Sequence, residues 1–107
     1  MKKVYYKLIR DRIPEIIAAN GQTAEIRVLT DEEYAAALER KLTEEVAEYL
    51  ESKEPTELAD IAEVAQALAE SRGVTFDELL KLKAEKRRKN GAFQKKLFLE
   101  CVEDNEL

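Results

Sequence analysis

Five acidic side chains between Lys41 and Val64 have the types and the spacing to do chemistry. Successive residues of a helix turn by about 100°. On that wheel Leu38, Leu42, Val46, Tyr49 and Leu50 form one apolar stripe, with Glu45 inside it, Glu48 at its edge and Glu44 just beyond. Leu58, Ile61, Val64, Ala65 and Leu68 form a second stripe, with Glu57 inside it and Asp60 at its margin. Ser52-Lys53-Glu54-Pro55 separates the two as a tight break. Helices joined by so short a link pack antiparallel. The carboxylates nearest the turn then face one another across a mostly apolar seam.

An ionised carboxylate in such a seam costs several kcal/mol unless something positive compensates it, and several together repel. A hard divalent cation removes both costs, because Mg²⁺ takes oxygen ligands, commonly carboxylates, while also holding substrate phosphates. The plainer account makes these residues helix-surface glutamates of an acidic chain, with Glu57 complementing a helix N-terminus. That account suits Glu51, Glu63 and Glu70, which point away from the stripes. It suits Glu45 and Glu57 poorly.

Glu45-Val-Ala-Glu48 followed by Glu57-Leu-Ala-Asp60 resembles the ExxE…ExxD signature of the MazG-like all-α nucleoside triphosphate pyrophosphohydrolases. The opening Tyr6-Lys-Leu-Ile-Arg-Asp-Arg-Ile-Pro14, the Lys41-Leu-x-Glu-Glu segment and the late Arg88-Lys-Asn-Gly-Ala-Phe93 are similar to a small single-domain branch related to phosphoribosyl-ATP pyrophosphohydrolase. The interval from Tyr49 to Thr56 is shorter than in the better-studied members of that superfamily. The resemblance implies Mg²⁺, with Mn²⁺ as a substitute, held by Glu45, Glu48, Glu57 and Asp60. It implies Glu44 and Glu45 as catalytic residues, with Glu44 a water-orienting base or an outer-shell group.

Composition narrows the chemistry further. The chain of 107 residues reads as one domain spanning 1–107, and it carries a formal net charge of -5. That balance argues against a duplex nucleic-acid binder, which would show a basic footprint, and against a membrane-surface protein. No apolar run approaches a membrane span, and Met1 to Lys7 lacks the apolar region of a signal peptide, so a cytoplasmic location is expected. There is no histidine and one cysteine. Ser-His-Asp and Cys-His catalysis and zinc sites are therefore excluded. Cys101, between Leu99-Glu100 and Val102, is expected to be a buried thiol.

The elements that position these residues are legible in the punctuation. Residues 1–9 are expected to lie extended across the helices. Asp11 is a candidate N-cap for a helix from Arg12 to Ala19, with Pro14 in its first turn, a buried face of Ile13, Ile16 and Ile17, and a stop at Asn20-Gly21. Ala24 to Leu29 alternates as a strand does. Thr30-Asp-Glu-Glu33 is a capping box that opens the first long helix. The second long helix runs from near Pro55 to Gly73, and Thr75-Phe-Asp-Glu78 caps the last. Lys96 to Val102 alternates again and is expected to pair with 24–29. The tail Glu103-Asp-Asn-Glu-Leu107 is expected to fray. The predicted fold is mostly α, an antiparallel bundle of about four helices with a small two-stranded β-sheet.

The last helix carries a second signal. Its apolar face, Phe76, Leu79 and Leu80, continues into Lys83, Lys86 and Arg87. Basic residues belong at a helix C-terminus through the macrodipole, and their stems can cover apolar surface. Beside an acidic metal site they are also what a triphosphate requires, and the resemblance implies phosphate contacts there. Arg10 is a further substrate-binding candidate, with Lys7 beside it, although Arg10 and Asp11 suit a structural ion pair equally. Tyr5, Tyr6 and Tyr34 could stack on a base or serve the core. The expected function is Mg²⁺-dependent hydrolysis of a nucleoside triphosphate to monophosphate and pyrophosphate, with house-cleaning of non-canonical nucleotides as one role. Phosphoribosyl-ATP hydrolysis and a non-catalytic helical interaction module are the alternatives. The expected partners are a nucleotide substrate and further copies of the chain, as a homodimer or higher homo-oligomer.

Overall fold

The computed structural model describes residues 1–105 and contains four helices. They are α1 (Ile13–Ala19), α2 (Asp31–Ser52), α3 (Pro55–Ser71) and α4 (Phe76–Asn90). The caps account for most of these boundaries. Thr30 and Thr75 each accept a hydrogen bond from the backbone N–H three residues on, of Glu33 and Glu78 respectively. Those glutamates reach back to the backbone N–H of their threonine, so both capping boxes are complete. This satisfies donors that a helix start otherwise leaves without partners. α2 stops where Lys53 adopts φ 60°, in the left-handed region, and donates its N–H to the carbonyl of Tyr49. Glu54 is extended, and Pro55 starts α3 where its missing N–H does no harm.

With Lys53 and Glu54 as the whole connection, α2 and α3 fold back on one another as an antiparallel hairpin, the most extensive helix packing in the molecule. Its seam holds the buried residues Ala37, Leu38, Glu45 and Val64. Leu42, Tyr49, Ile61, Ala65 and Leu68 are half-buried around them. Of the other helices α4 meets α3 alone, its Leu79 is half-buried, and from Leu80 to Asn90 every residue is exposed. Among the described residues no helix is long and apolar enough to cross a membrane.

Several expectations are corrected. Among the described residues there is no strand, so the two-stranded sheet between 24–29 and 96–102 is absent. The alternation is present, yet Ile26, Val28, Leu97, Phe98, Leu99 and Val102 all lie exposed. A period of two records a local pattern, whereas a ladder needs a partner some seventy residues away, and an isolated pair of strands is marginal. A turn at Phe93–Lys96 also puts Lys96 at φ 59°, out of the strand region. Cys101, on the same uncovered segment, is exposed rather than buried.

At the other end, Asp11 is not the N-cap of α1. It occupies a turn in which the N–H of Ile13 donates to the carbonyl of Arg10, and Arg12 precedes the helix without a side-chain cap. Ile13 and Ile17 are half-buried, but Ile16 is exposed, because α1 packs against none of the other three helices. Glu106 and Leu107, the end of the tail expected to fray, lie outside the described residues.

The result is an elongated molecule with a thin core. Its radius of gyration is 19.4 Å and its extents are 72 × 32 × 20 Å, against a radius of about 13 Å for a compact chain of this length. The accessible surface is 10276 Å². A compact monomer of this mass exposes about 6,100 Å², an excess of about 4,200 Å².

Candidate metal centre

Two groups of carboxylates converge near the α2–α3 turn. Oxygens of Glu44, Glu45 and Glu48 lie within 4.8 Å of one another, and so do oxygens of Glu45, Glu57 and Asp60. The first group follows from helix geometry, since residues three and four apart share a face. The second depends on the hairpin, which sets Glu57 and Asp60 in the first two turns of α3 against Glu45 of α2. Glu45 belongs to both and is the pivot of the site. All four acids expected to hold the metal, Glu45, Glu48, Glu57 and Asp60, are thus at the cluster, with Glu44 beside them.

Glu45 is only 7% exposed, the one charged side chain among the buried residues of the hairpin. Its Oε1 lies 3.4 Å from the Lys41 ammonium, while Oε2 is buried with no hydrogen-bond partner. Burial pushes its carboxyl above the usual 4.5, and the neighbouring Glu48 pushes it the same way, with Lys41 pulling it back. A buried acceptor left without a partner costs about 1–3 kcal/mol.

Three cations of the chain reach the same acids. Lys41 spans Glu44 and Glu45 at 3.4 Å each, and Lys7 Nζ lies 3.3 Å from Glu44 Oε1. Arg10 Nη2 donates to Asp60 Oδ1 at 2.7 Å. Lys41 joins the site although it is not among the expected site residues, and its spacing of three and four from Glu44 and Glu45 is the local signal for it. Five carboxylates against three cations leave an excess of two negative charges. The set is all hard oxygen, it is compact, and its shared member Glu45 has one buried oxygen without a partner, so the residues fit a divalent cation such as Mg²⁺. Glu45, Glu57 and Asp60 would hold it, while Glu48 falls in the other group, with Glu44 and Glu45.

The basic candidates divide. Arg10 is at the cluster. Lys83, Lys86 and Arg87 lie on the exposed half of α4, and among the described residues none of them forms an ion pair. Tyr5 packs under the ammonium groups of Lys3 and Lys7, at 5.2 and 5.7 Å from its ring centre. Tyr6 is exposed, and Tyr34 is half-buried at the start of α2, far along that helix from the acids.

No protein-family model matches the chain, and no solved structure matches it. An uncharacterized protein of Mycolicibacterium smegmatis is 64% identical over 42 residues, which is 39% of this chain and 43% of that relative. The match therefore spans less than half of either protein.

Proposed function

We propose that this protein is a Mg²⁺-dependent hydrolase that cleaves a nucleoside triphosphate between its α and β phosphates, releasing monophosphate and pyrophosphate. The observation that carries this reading is Glu45, a carboxylate buried in an apolar seam with one oxygen unpartnered and two further acids from the facing helix beside it. Such an arrangement is costly by itself and is compensated when a dication is bound. The ExxE…ExxD resemblance supports the same chemistry.

When bound, the cation polarises phosphate oxygens, offsets charge in the transition state and makes water a better nucleophile. The chain's own residues supply the rest. Glu45, Glu57 and Asp60 fix the site rigidly, because they sit on two packed helices rather than on loops. Glu44, partly open to solvent, orients the attacking water and accepts its proton. The water oxygen bonds to the α-phosphorus, the bond to the bridging oxygen breaks, and pyrophosphate leaves with the electron pair. Lys86 and Arg87, with Lys83 one turn earlier, offset the charge of the departing phosphates.

The working unit in this reading is a homodimer or larger homo-oligomer. Its support is the excess of about 4,200 Å² of exposed surface over a compact chain, together with the uncovered Val46, Leu50 and Leu58 beside the hairpin seam and Phe93, Leu97 and Phe98 beyond α4. Obligate homodimers bury about 2,000–5,000 Å² over both partners together, so a dimer takes up part of this excess.

Pyrophosphate release from a panel of canonical, oxidised, deaminated and halogenated nucleotides, with phosphoribosyl-ATP included, tests the proposal. Release in Mg²⁺ that stops in EDTA is the expected result, and preference for damaged nucleotides would assign house-cleaning. No release from any of them leaves the non-catalytic interaction module as the better account.

A further inference from the structure

We propose that the stretch from Lys7 to Arg10 is a positioning strap for the metal ligands, with Arg10 holding Asp60 in its ligating orientation. This deepens the metal-dependent reading and rests on it. The stretch has no helix or strand of its own, yet it does not trail into solvent. Leu8 and Ile9 are half-buried, and the cations on either side of them grip different helices, Lys7 taking Glu44 of α2 and Arg10 taking Asp60 of α3. One short segment therefore ties together the two sides of the acidic seam.

The grip on Asp60 is one-sided. Arg10 engages Oδ1 at 2.7 Å, and the same carboxylate is grouped with those of Glu45 and Glu57. Lys41 treats Glu45 alike, engaging Oε1 and leaving Oε2 unpartnered. A charged partner bonded to one oxygen of a ligating carboxylate is the kind of outer hydrogen bond that orients a coordination shell. The pair is not there for stability. The side chains of Arg10 and Asp60 are 55% and 38% exposed, and ion pairs in that setting contribute little to folding. Glu44 differs, because Lys7 and Lys41 between them engage both of its oxygens.

Mn²⁺ titration of the full chain by calorimetry, on wild type, Arg10→Gln and Arg10→Lys, with melting in EDTA measured alongside, tests the strap. Arg10→Gln is expected to weaken Mn²⁺ binding by about 10–100-fold, the usual cost of losing an outer-shell partner, at an unchanged melting temperature. Arg10→Lys is expected to recover part of the loss, and it serves as the second variant should Arg10→Gln fold poorly. The nucleotide KM at saturating Mn²⁺ is expected to stay at the wild-type value. Unchanged Mn²⁺ affinity with a raised KM would overturn the strap and make Arg10 a phosphate contact. Tighter Mn²⁺ binding would overturn it too, identifying Arg10 as a competitor for Asp60. Wild type that binds no Mn²⁺ overturns the metal-dependent reading along with the strap, whereas normal wild-type binding matched by Arg10→Gln sinks the strap alone.

Discussion

Replacing Glu45 by leucine should stabilise the metal-free protein while destroying its activity. The side chain is 7% exposed, and its Oε2 has no partner. Leucine removes an unsatisfied acceptor worth about 1–3 kcal/mol and puts an apolar side chain at a buried position of the seam. The substitution does not strand its neighbour, because Lys41 keeps Glu44 at 3.4 Å. For a domain of this size each kcal/mol moves the melting temperature by about 4–8 °C, so circular dichroism resolves the change easily. In EDTA, Glu45→Leu is expected to melt higher than wild type at the same protein concentration. In excess Mg²⁺ the order should close or reverse, since an ion at 100 times its Kd stabilises wild type by about 2.7 kcal/mol and the mutant has lost a ligand. The pH dependence has a definite sign. Burial raises the Glu45 carboxyl above 4.5, so below 4.5 it is protonated in folded and unfolded chains alike and has no ionisation cost. The cost grows as pH rises from there through the raised value and is complete above it. The advantage of Glu45→Leu in EDTA should follow that window. A mutant that melts lower than wild type in EDTA at neutral pH would refute the reasoning, because Glu45 would then be one half of a stabilising ion pair with Lys41.

Further outcomes are expected elsewhere in the molecule. Lys86→Ala should lower turnover tenfold or more at an unchanged melting temperature, as a charge-assisted phosphate contact is worth about 1.5–3 kcal/mol; full activity would leave Lys86 as a partner of the helix macrodipole only. Light scattering at micromolar concentration should find at least a dimer, and a monomer would remove the homo-oligomer from the account. Glu33, held down to about 2 chiefly by hydrogen bonds from the Arg27 guanidinium and then by the Thr30 N–H, contributes stability that is present above its ordinary range and is lost as pH falls from 4.5 towards 2. Urea midpoints at pH 7 and pH 3 should therefore drop further for wild type than for Glu33→Gln, and equal drops would contradict the assignment.

The parts of this protein set by short-range forces could be read from the chain alone. Thr30 with Glu33 and Thr75 with Glu78 announce their helices, because a capping box is complete within four residues. Asn20-Gly21 and Ser52 to Pro55 stop helices for equally local reasons of backbone conformation. The meeting of Glu45 with Glu57 and Asp60 was also legible, since a two-residue link leaves two amphipathic helices little choice but to fold face to face. What tertiary structure decided lies at long sequence separation or on surface that no neighbour covers. Arg10 reaches Asp60 across fifty residues, a choice among many acids that no local pattern encodes. The alternation of 24–29 and 96–102 promised a sheet, but pairing needs closure of a long loop and a covered face, and neither forms. Cys101 is exposed for the same reason. The stripe of Val46 and Leu50 is likewise apolar in sequence yet open in the fold, because α3 covers only the side of α2 that carries Leu38, Lys41, Leu42 and Glu45. Periodicity states which residues could be buried; only the number and placement of packed neighbours decides which of them are.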